Sequence, residues 1–194
     1  MNFKISAGKL KNLPLIWNAD ATTRPTKSIV RESCFNTLGA RVLDSVFIEG
    51  FGGCGSMGIE AHSRGASEAV FFEIHKRAYE ILQQNLALVS KRESCLKFKV
   101  YNADFFTAFG EKALDSKSQT IILYLDPPFC IREGMQEIYE QCFTLIQSLS
   151  QGFVNLIVFE HWSGYNMPHW IGDFGLHKTR QFGKTSLTYY ALKD

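Results

Sequence analysis

No hydrophobic run in the 194-residue chain approaches the length of a bilayer span; the stretch Ile121 to Leu125 is only strand-sized. Met1 to Asn12 carries lysines but no apolar stretch of signal-peptide length, so no secretory leader is expected there. The five cysteines (Cys34, Cys54, Cys95, Cys130, Cys142) are odd in number, scattered, and contain no C-x-x-C pair. That argues against a disulfide framework or a thiolate zinc site and suits a reducing cytoplasm. The five histidines show no ligand spacing either, so no metal is expected. An excess of one charge is also missing: 21 Lys and Arg face 19 Asp and Glu, a net charge of +2, which excludes a polybasic nucleic-acid binder. The balance conceals an asymmetry. Residues 1–41 carry seven basic and two acidic side chains, a net of +5, which leaves −3 for the remainder.

What is present describes one well-filled core. The chain is 45% hydrophobic with 16 phenylalanines, enough for a single globular domain. Apolar bursts recur at Val46 to Ile48, Ala69 to Phe72, Phe98 to Val100, Ile121 to Leu125 and Leu156 to Phe159. Several are continuous rather than alternating, as strands buried on both faces require. Helix-period stretches lie between them at Met57 to Arg64, Lys76 to Val89, Ala103 to Leu114 and Glu133 to Leu149. This alternation predicts an α/β fold with a mostly parallel sheet. Residues 1–16 predict a short hairpin or strand extension, and Thr26 to Leu43 a helix opened by Pro25. Two β-rich runs around Phe182-Gly183-Lys184 predict a C-terminal antiparallel hairpin.

After the first predicted strand, Glu49-Gly50-Phe51-Gly52-Gly53-Cys54-Gly55-Ser56-Met57-Gly58 leads into a helix, and an acid, Glu73, ends the next strand. Gly53-x-Gly55-x-x-Gly58 has the form of a dinucleotide fingerprint. Without Cβ atoms the turn can lie against a nucleoside ligand, and Glu73 can accept from ribose hydroxyls. Farther on, Ile121 to Leu125 runs directly into Asp126-Pro127-Pro128-Phe129. Proline forces Asp126 into an extended conformation and ends the ladder at the strand's carboxyl end, where open α/β sheets bind ligands. The Asp126 carboxylate and the Pro127 carbonyl can together grip the two N–H bonds of an exocyclic amine, with Phe129 as a stacking face.

The two motifs together resemble a class I S-adenosylmethionine-dependent methyltransferase acting on an amino nitrogen, whose signature turn is [DNS]-P-P-[FYW]. Arg24-Pro25-Thr26, Val30-Arg31-Glu32, Phe35-Asn36, Gly55-Ser56-x-Gly58-Ile59-Glu60-Ala61 and Ser63-Arg64-Gly65-Ala66 narrow the resemblance to RsmD-type 16S ribosomal RNA guanine-N2 methyltransferases. It implies a Rossmann-like class I methyltransferase fold with an N-terminal β-hairpin/helix extension. Residues 1–43 would form a basic extension that contacts RNA and covers the cofactor, and residues 44–194 the catalytic domain. It also implies S-adenosylmethionine as cofactor, held by Arg24, Pro25, Thr26, Glu49, Phe51, Gly52, Gly53, Gly55, Glu73, Asp104 and Asp126. Asp126, Pro127, Pro128 and Phe129 would form the catalytic turn. Glu49 stands where these enzymes usually have Asp, and His75 where an acid is common.

Lys9, Lys11, Arg31 and Arg132 are the candidate RNA contacts, and 16S rRNA in the small ribosomal subunit is the expected partner of a cytoplasmic monomer. Cys54 and Cys130 have no base nearby in sequence and read as packing residues, and Trp162 and Trp170 as half-buried or RNA-stacking aromatics. Three other functions use part of this pattern. A nicotinamide-dependent oxidoreductase would use the glycine loop but leave the Asp-Pro-Pro-Phe turn without a role. A non-catalytic RNA-binding module would not need that turn. Methyltransferases of DNA adenine or protein glutamine share it, more often with Asn first.

Overall fold

The computed structural model describes residues 3–17, 28–93, 97–112, 120–149 and 152–192. All five apolar bursts are strands: β1 Val46–Glu49, β2 Glu68–Phe72, β3 Phe98–Tyr101, β4 Ile121–Leu125 and β5 Leu156–Trp162. They pair in parallel, and the side chains of the central strands β1, β4 and β5 alternate between two apolar layers, which is why those runs lack polar positions, whereas the edge strand β3 carries Lys99. The predicted C-terminal hairpin is β7 Phe174–Phe182 and β8 Thr185–Leu192, with β8 antiparallel to β5. A two-residue strand, β6 Trp170–Ile171, too short for a sequence signal, completes the order β3-β2-β1-β4-β5-β8-β7-β6. The order reverses between β1 and β4, the switch point at whose carboxyl edge open α/β sheets form their ligand crevice.

Helices α1 Ser28–Leu38, α2 Ser56–Ser63 and α3 Lys76–Arg92 are followed by α4 Phe105–Lys112 and α5 Ile138–Gln147. Phe105, Phe109, Tyr139, Phe143 and Ile146 of α4 and α5 pack on the face lined by Ile48, Leu123 and Ile157. Phe35 and Leu38 of α1 and Met57 and Ala61 of α2 cover Phe47, Tyr124 and Val158 on the other face.

Three helices differ from their predicted limits. The first becomes a 3-10 turn at Gly39–Val42, where Gly39 has φ +56° and cannot continue an α-helix; Thr26 and Lys27 lie outside the described residues. The fourth begins at Phe105 because the Asp104 carboxylate accepts the Phe106 N–H at 2.8 Å and caps it. The fifth begins at Ile138 rather than Glu133. Gly134 (φ +74°) and turn bonds from Met135 N to Arg132 O and from Ile138 N to Met135 O shape the preceding segment into turns.

The amino-terminal arm has one β-bridge, Lys4 to Pro14, in place of an extended ladder. Ile5, Leu10, Leu13 and Leu15 are buried against Ile59, Phe71, Leu82 and Leu86. Its docking centres on Glu60, whose carboxylate is fully buried. Glu60 accepts from Ser6 N (2.8 Å), Ser6 Oγ (2.7 Å), Ala7 N (3.1 Å) and Arg64 Nε (2.7 Å), and ion-pairs with Arg31. So dense a set of donors is what a buried carboxylate needs to stay charged. Among the described residues, no helix is long and apolar enough to cross a membrane.

Candidate active site

The apolar strands of the parallel sheet deliver acids to one edge. Glu49 is the last residue of β1, Glu73 follows β2, Asp126 follows β4, and Glu160 succeeds Phe159 near the end of β5. With Asp104 ahead of α4, this edge is acidic although the whole chain is slightly basic.

Glu49 is buried, and its Oε2 accepts the Gly58 N–H at 2.8 Å, so its carboxyl occupies the amino terminus of α2. Burial pushes its pKa up to about 8 against the backbone N–H groups of Gly58 and Met57; Glu73 raises it further and the Arg31 charge lowers it. Two glycines of the loop have left-handed backbone, Gly53 at φ +51° and Gly55 at φ +79°. A Cβ on Gly53 would meet nothing within 4 Å, so the loop borders open space there. A Cβ on Gly55 or Gly58 would lie 2.3 Å from Leu82 or Phe71, so these two glycines serve packing. Gly52 donates to the Phe72 carbonyl at 2.7 Å, which ties the loop to β2.

Glu73 accepts from Gly53 N and His75 N, each at 2.7 Å, one on each carboxylate oxygen. It is thereby held in place with lone pairs remaining on both oxygens. Asn102 supports the same corner by donating to the Glu73 carbonyl at 2.7 Å. Phe51 rests against Phe105 and Phe106, with ring centroids 5.7 and 5.9 Å apart. Asp104 sits below them, one of its oxygens committed to the helix cap.

Pro127 is buried, and Asp126, Pro128 and Phe129 are half-buried. Burial raises the Asp126 carboxyl well above its usual range; Glu160 and Glu49 add to this, and Arg132 opposes it. Glu160 and Tyr124 were not anticipated from the sequence. The buried Tyr124 hydroxyl donates to Glu160 Oε2. The available signal was the one that marks Glu49: a carboxylate closing an apolar strand.

The structure separates the four candidate RNA contacts. Arg132 is exposed beside the Asp-Pro-Pro-Phe turn. Lys9 and Lys11 are exposed at the other end of the molecule, since Lys9 N bonds to the Ser63 carbonyl at the carboxyl end of α2. Arg31 requires a correction: it is 1% exposed, ion-paired with Glu60 and bonded to the Lys4 carbonyl, so a phosphate cannot reach it. Arg24, Pro25 and Thr26 lie outside the described residues. Cys54 packs near Glu49, where burial pushes its thiol up to about 12, unsuited to nucleophilic chemistry at neutral pH. His161 is buried between Thr188 Oγ1 and the Trp162 carbonyl, both at 2.9 Å.

Sequence and structure comparisons agree on what this arrangement belongs to. The profile of the family described as "Conserved hypothetical protein 95" matches residues 3–191. The Bacillus subtilis (strain 168) protein named "Putative rRNA methyltransferase YlbH" is 29% identical over 195 residues, spanning 96% of this chain and 97% of its own. "Ribosomal RNA small subunit methyltransferase D" of Escherichia coli (strain K12) is 27% identical over 170 residues, 86% of this chain and 78% of its own. The solved structure "Putative methyltransferase yhhF from Escherichia coli" superposes with a TM-score of 0.77 at 26% identity, covering 100% of this chain and 99% of that one. An RNA methyltransferase from Salinibacter ruber, solved in complex with S-adenosyl-L-homocysteine, shares the fold at 19% identity and TM-score 0.55, covering 87% of this chain and 94% of that one. The family match runs from the docked arm to the last strand of the sheet, and the chain belongs to this family, the RsmD-type methyltransferases that its motifs resemble.

Proposed function

We propose that the protein transfers a methyl group from S-adenosylmethionine to the exocyclic N2 of a flipped guanine in 16S rRNA of the small ribosomal subunit. The observation that carries this reading is the acidic carboxyl edge, above all Glu49 seated on the amino terminus of α2. A dinucleotide needs those helix-terminal amides for its pyrophosphate; the Glu49 carboxyl already takes the Gly58 N–H. That disfavours the nicotinamide alternative. The same edge suits a cofactor with positive charge. The raised pKa of Glu49 marks a carboxyl short of a cation, and the ammonium of a methionyl group would supply one. Gly53 leaves open space beside it, and Glu73 presents lone pairs for ribose hydroxyls. Phe51 and Asp104 would flank the adenine, and residues 1–43 would cover the cofactor and meet RNA.

The bound cofactor would supply an electrophilic methyl carried on a sulfonium. The rest of the chemistry belongs to the turn. The guanine N2 lone pair is delocalised into the ring, so the amine is a poor nucleophile. Asp126 and the Pro127 carbonyl would accept its two N–H bonds, aim the nitrogen, and stabilise the positive charge that develops on it. Phe129 would hold the extruded base by stacking. With the C–S bond's electron pair left on the departing thioether, the Asp126 carboxylate would take the surplus proton of N2 and pass it to water.

Nucleoside mass spectrometry of small-subunit RNA from cells lacking the protein tests this reading. Loss of one N2-methylguanosine is the expected result; an unchanged modification profile would overturn it. Calorimetry tests the cofactor: tight binding of S-adenosylhomocysteine and none of NADH is expected, and the reverse would restore the oxidoreductase reading.

A further inference from the structure

The guanine-N2 reading leaves open how this edge tells guanine from the other bases. β4 and β5 pair in parallel with Leu125 opposite Phe159, so the next residues, Asp126 and Glu160, stand side by side on neighbouring strands at the carboxyl edge. Adjacent strands are about 4.8 Å apart, so two carboxylates so placed can address one planar edge of a small ring. They also share a face of the sheet. Tyr124, two residues before Asp126, reaches Glu160 with its hydroxyl, and Pro127 keeps Asp126 extended in line with Tyr124. Glu160 is 6% exposed, and the Tyr124 donation to Oε2 fixes its rotamer. Leu187 of β8 stands opposite it in the sheet, and the Glu160 charge is felt at Asp126 after β4 and at Cys34 of α1.

Two adjacent carboxylates are an unusual pair for a base to meet. On its Watson–Crick edge only guanine offers two neighbouring N–H donors, N1–H and N2–H. Adenine and cytosine place a lone pair beside the amine, and uracil has a single donor. We propose that Glu160 is the residue that selects guanine, its carboxylate accepting N1–H while Asp126 accepts N2–H. The inference rests on the guanine-N2 reading above. A base with a lone pair at that position offers Glu160 no N–H to accept, so the site loses a buried hydrogen bond to it. The closeness of the two acids also explains why Glu160 raises the Asp126 carboxyl, a strain that the two guanine donors relieve.

Glu160→Gln separates this role from a structural one. The amide oxygen can still accept from Tyr124, which turns the NH2 group toward guanine N1–H. The experiment compares guanine with 2-aminopurine, which keeps the N2 amine but has a lone pair at N1. Small subunits are reconstituted from 16S RNA carrying one base or the other, by ligation, at the methylated position. Wild-type protein is expected to prefer guanine by at least tenfold in kcat/KM. Glu160→Gln is expected to lose at least tenfold on guanine and less on 2-aminopurine, with S-adenosylhomocysteine affinity unchanged. A parallel fall on both bases, or no fall, would overturn the inference. Should the variant fail to fold, the wild-type ratio decides: equal rates on the two bases would overturn it. If wild-type protein places no methyl on N2 of the guanine particle, the functional reading itself fails, a separate outcome.

Discussion

Asp126 carries the largest consequence of any single side chain. In the proposed reaction, replacing it with Ala would remove one acceptor from the developing charge on N2 and is expected to slow methyl transfer about a hundredfold or more, roughly 3–4 kcal/mol. Single-turnover methylation measures the loss, and calorimetry with S-adenosylhomocysteine shows whether cofactor binding persists. Glu49 gives a prediction with a definite sign. Its folded pKa, about 8, lies above the ordinary 4.5. Below pH 4.5 both folded and unfolded chains hold the proton. Between about 4.5 and 8 the unfolded chain releases it and the folded chain keeps it, so stability falls as pH rises through that window. Glu49→Gln should flatten this dependence and stabilise the ligand-free protein at pH 8, by on the order of 2–5 kcal/mol. Denaturant melts at pH 5 and pH 8 compare the two proteins; an equal pH dependence in both would refute the assignment.

Among the elements, the docked arm is held most sharply. Gly8 has φ +79°, and a Cβ there would sit 1.8 Å from the Ser63 carbonyl oxygen. Gly8→Ala must push the arm off the end of α2, breaking the Lys9 N to Ser63 bond and loosening Leu10 and the donors around Glu60. A cost of about 2–4 kcal/mol is expected from the left-handed backbone and the collision together. Amide exchange should report lost protection over residues 5–15 with the central strands unchanged. The strands and most helices were legible beforehand because each apolar burst has one period and one length. The start of the fifth helix was not. Glu133 to Leu149 has helical composition, but Gly134 takes a left-handed conformation that composition does not reveal. The short amino-terminal hairpin was legible too, and bonds from Ile5 N to Leu13 O, Asn12 N to Ile5 O and Leu15 N to Phe3 O close it; its docking was not, because those contacts go to α2, more than fifty residues away in sequence.

On the scale of the whole molecule, the described basic side chains of the amino-terminal segment do not form a cationic collar around the acidic edge. Arg31 is neutralised by Glu60, and Lys9 and Lys11 sit at the far end of α2, whose eight residues span about 12 Å. They can reach phosphate only on an RNA that extends well past the target base. The double variant Lys9→Ala/Lys11→Ala should therefore weaken binding to whole small-subunit RNA and lower the slope of log affinity against log salt by about 1.4. Binding to a short fragment around the target should stay the same. An equal loss on both RNAs would place the two lysines next to the target instead.

Much of this protein was determined by sequence alone. The apolar runs required a parallel sheet, since only strands covered on both faces can be apolar throughout. The glycine loop and the Asp-Pro-Pro-Phe turn marked its ligand edge, because glycine and proline set backbone geometry locally. What tertiary structure decided was which charges meet. Burial, strand register and the approach of distant segments set a charge's partners, and sequence spacing carries none of these. Strand register put Glu160 beside Asp126, helix packing put Glu49 on the amino terminus of α2, and the arm buried Arg31 against Glu60. The net charge of +2 is likewise a sum over a molecule whose carboxyl edge gathers acids while Lys9 and Lys11 are exposed at the far end of α2.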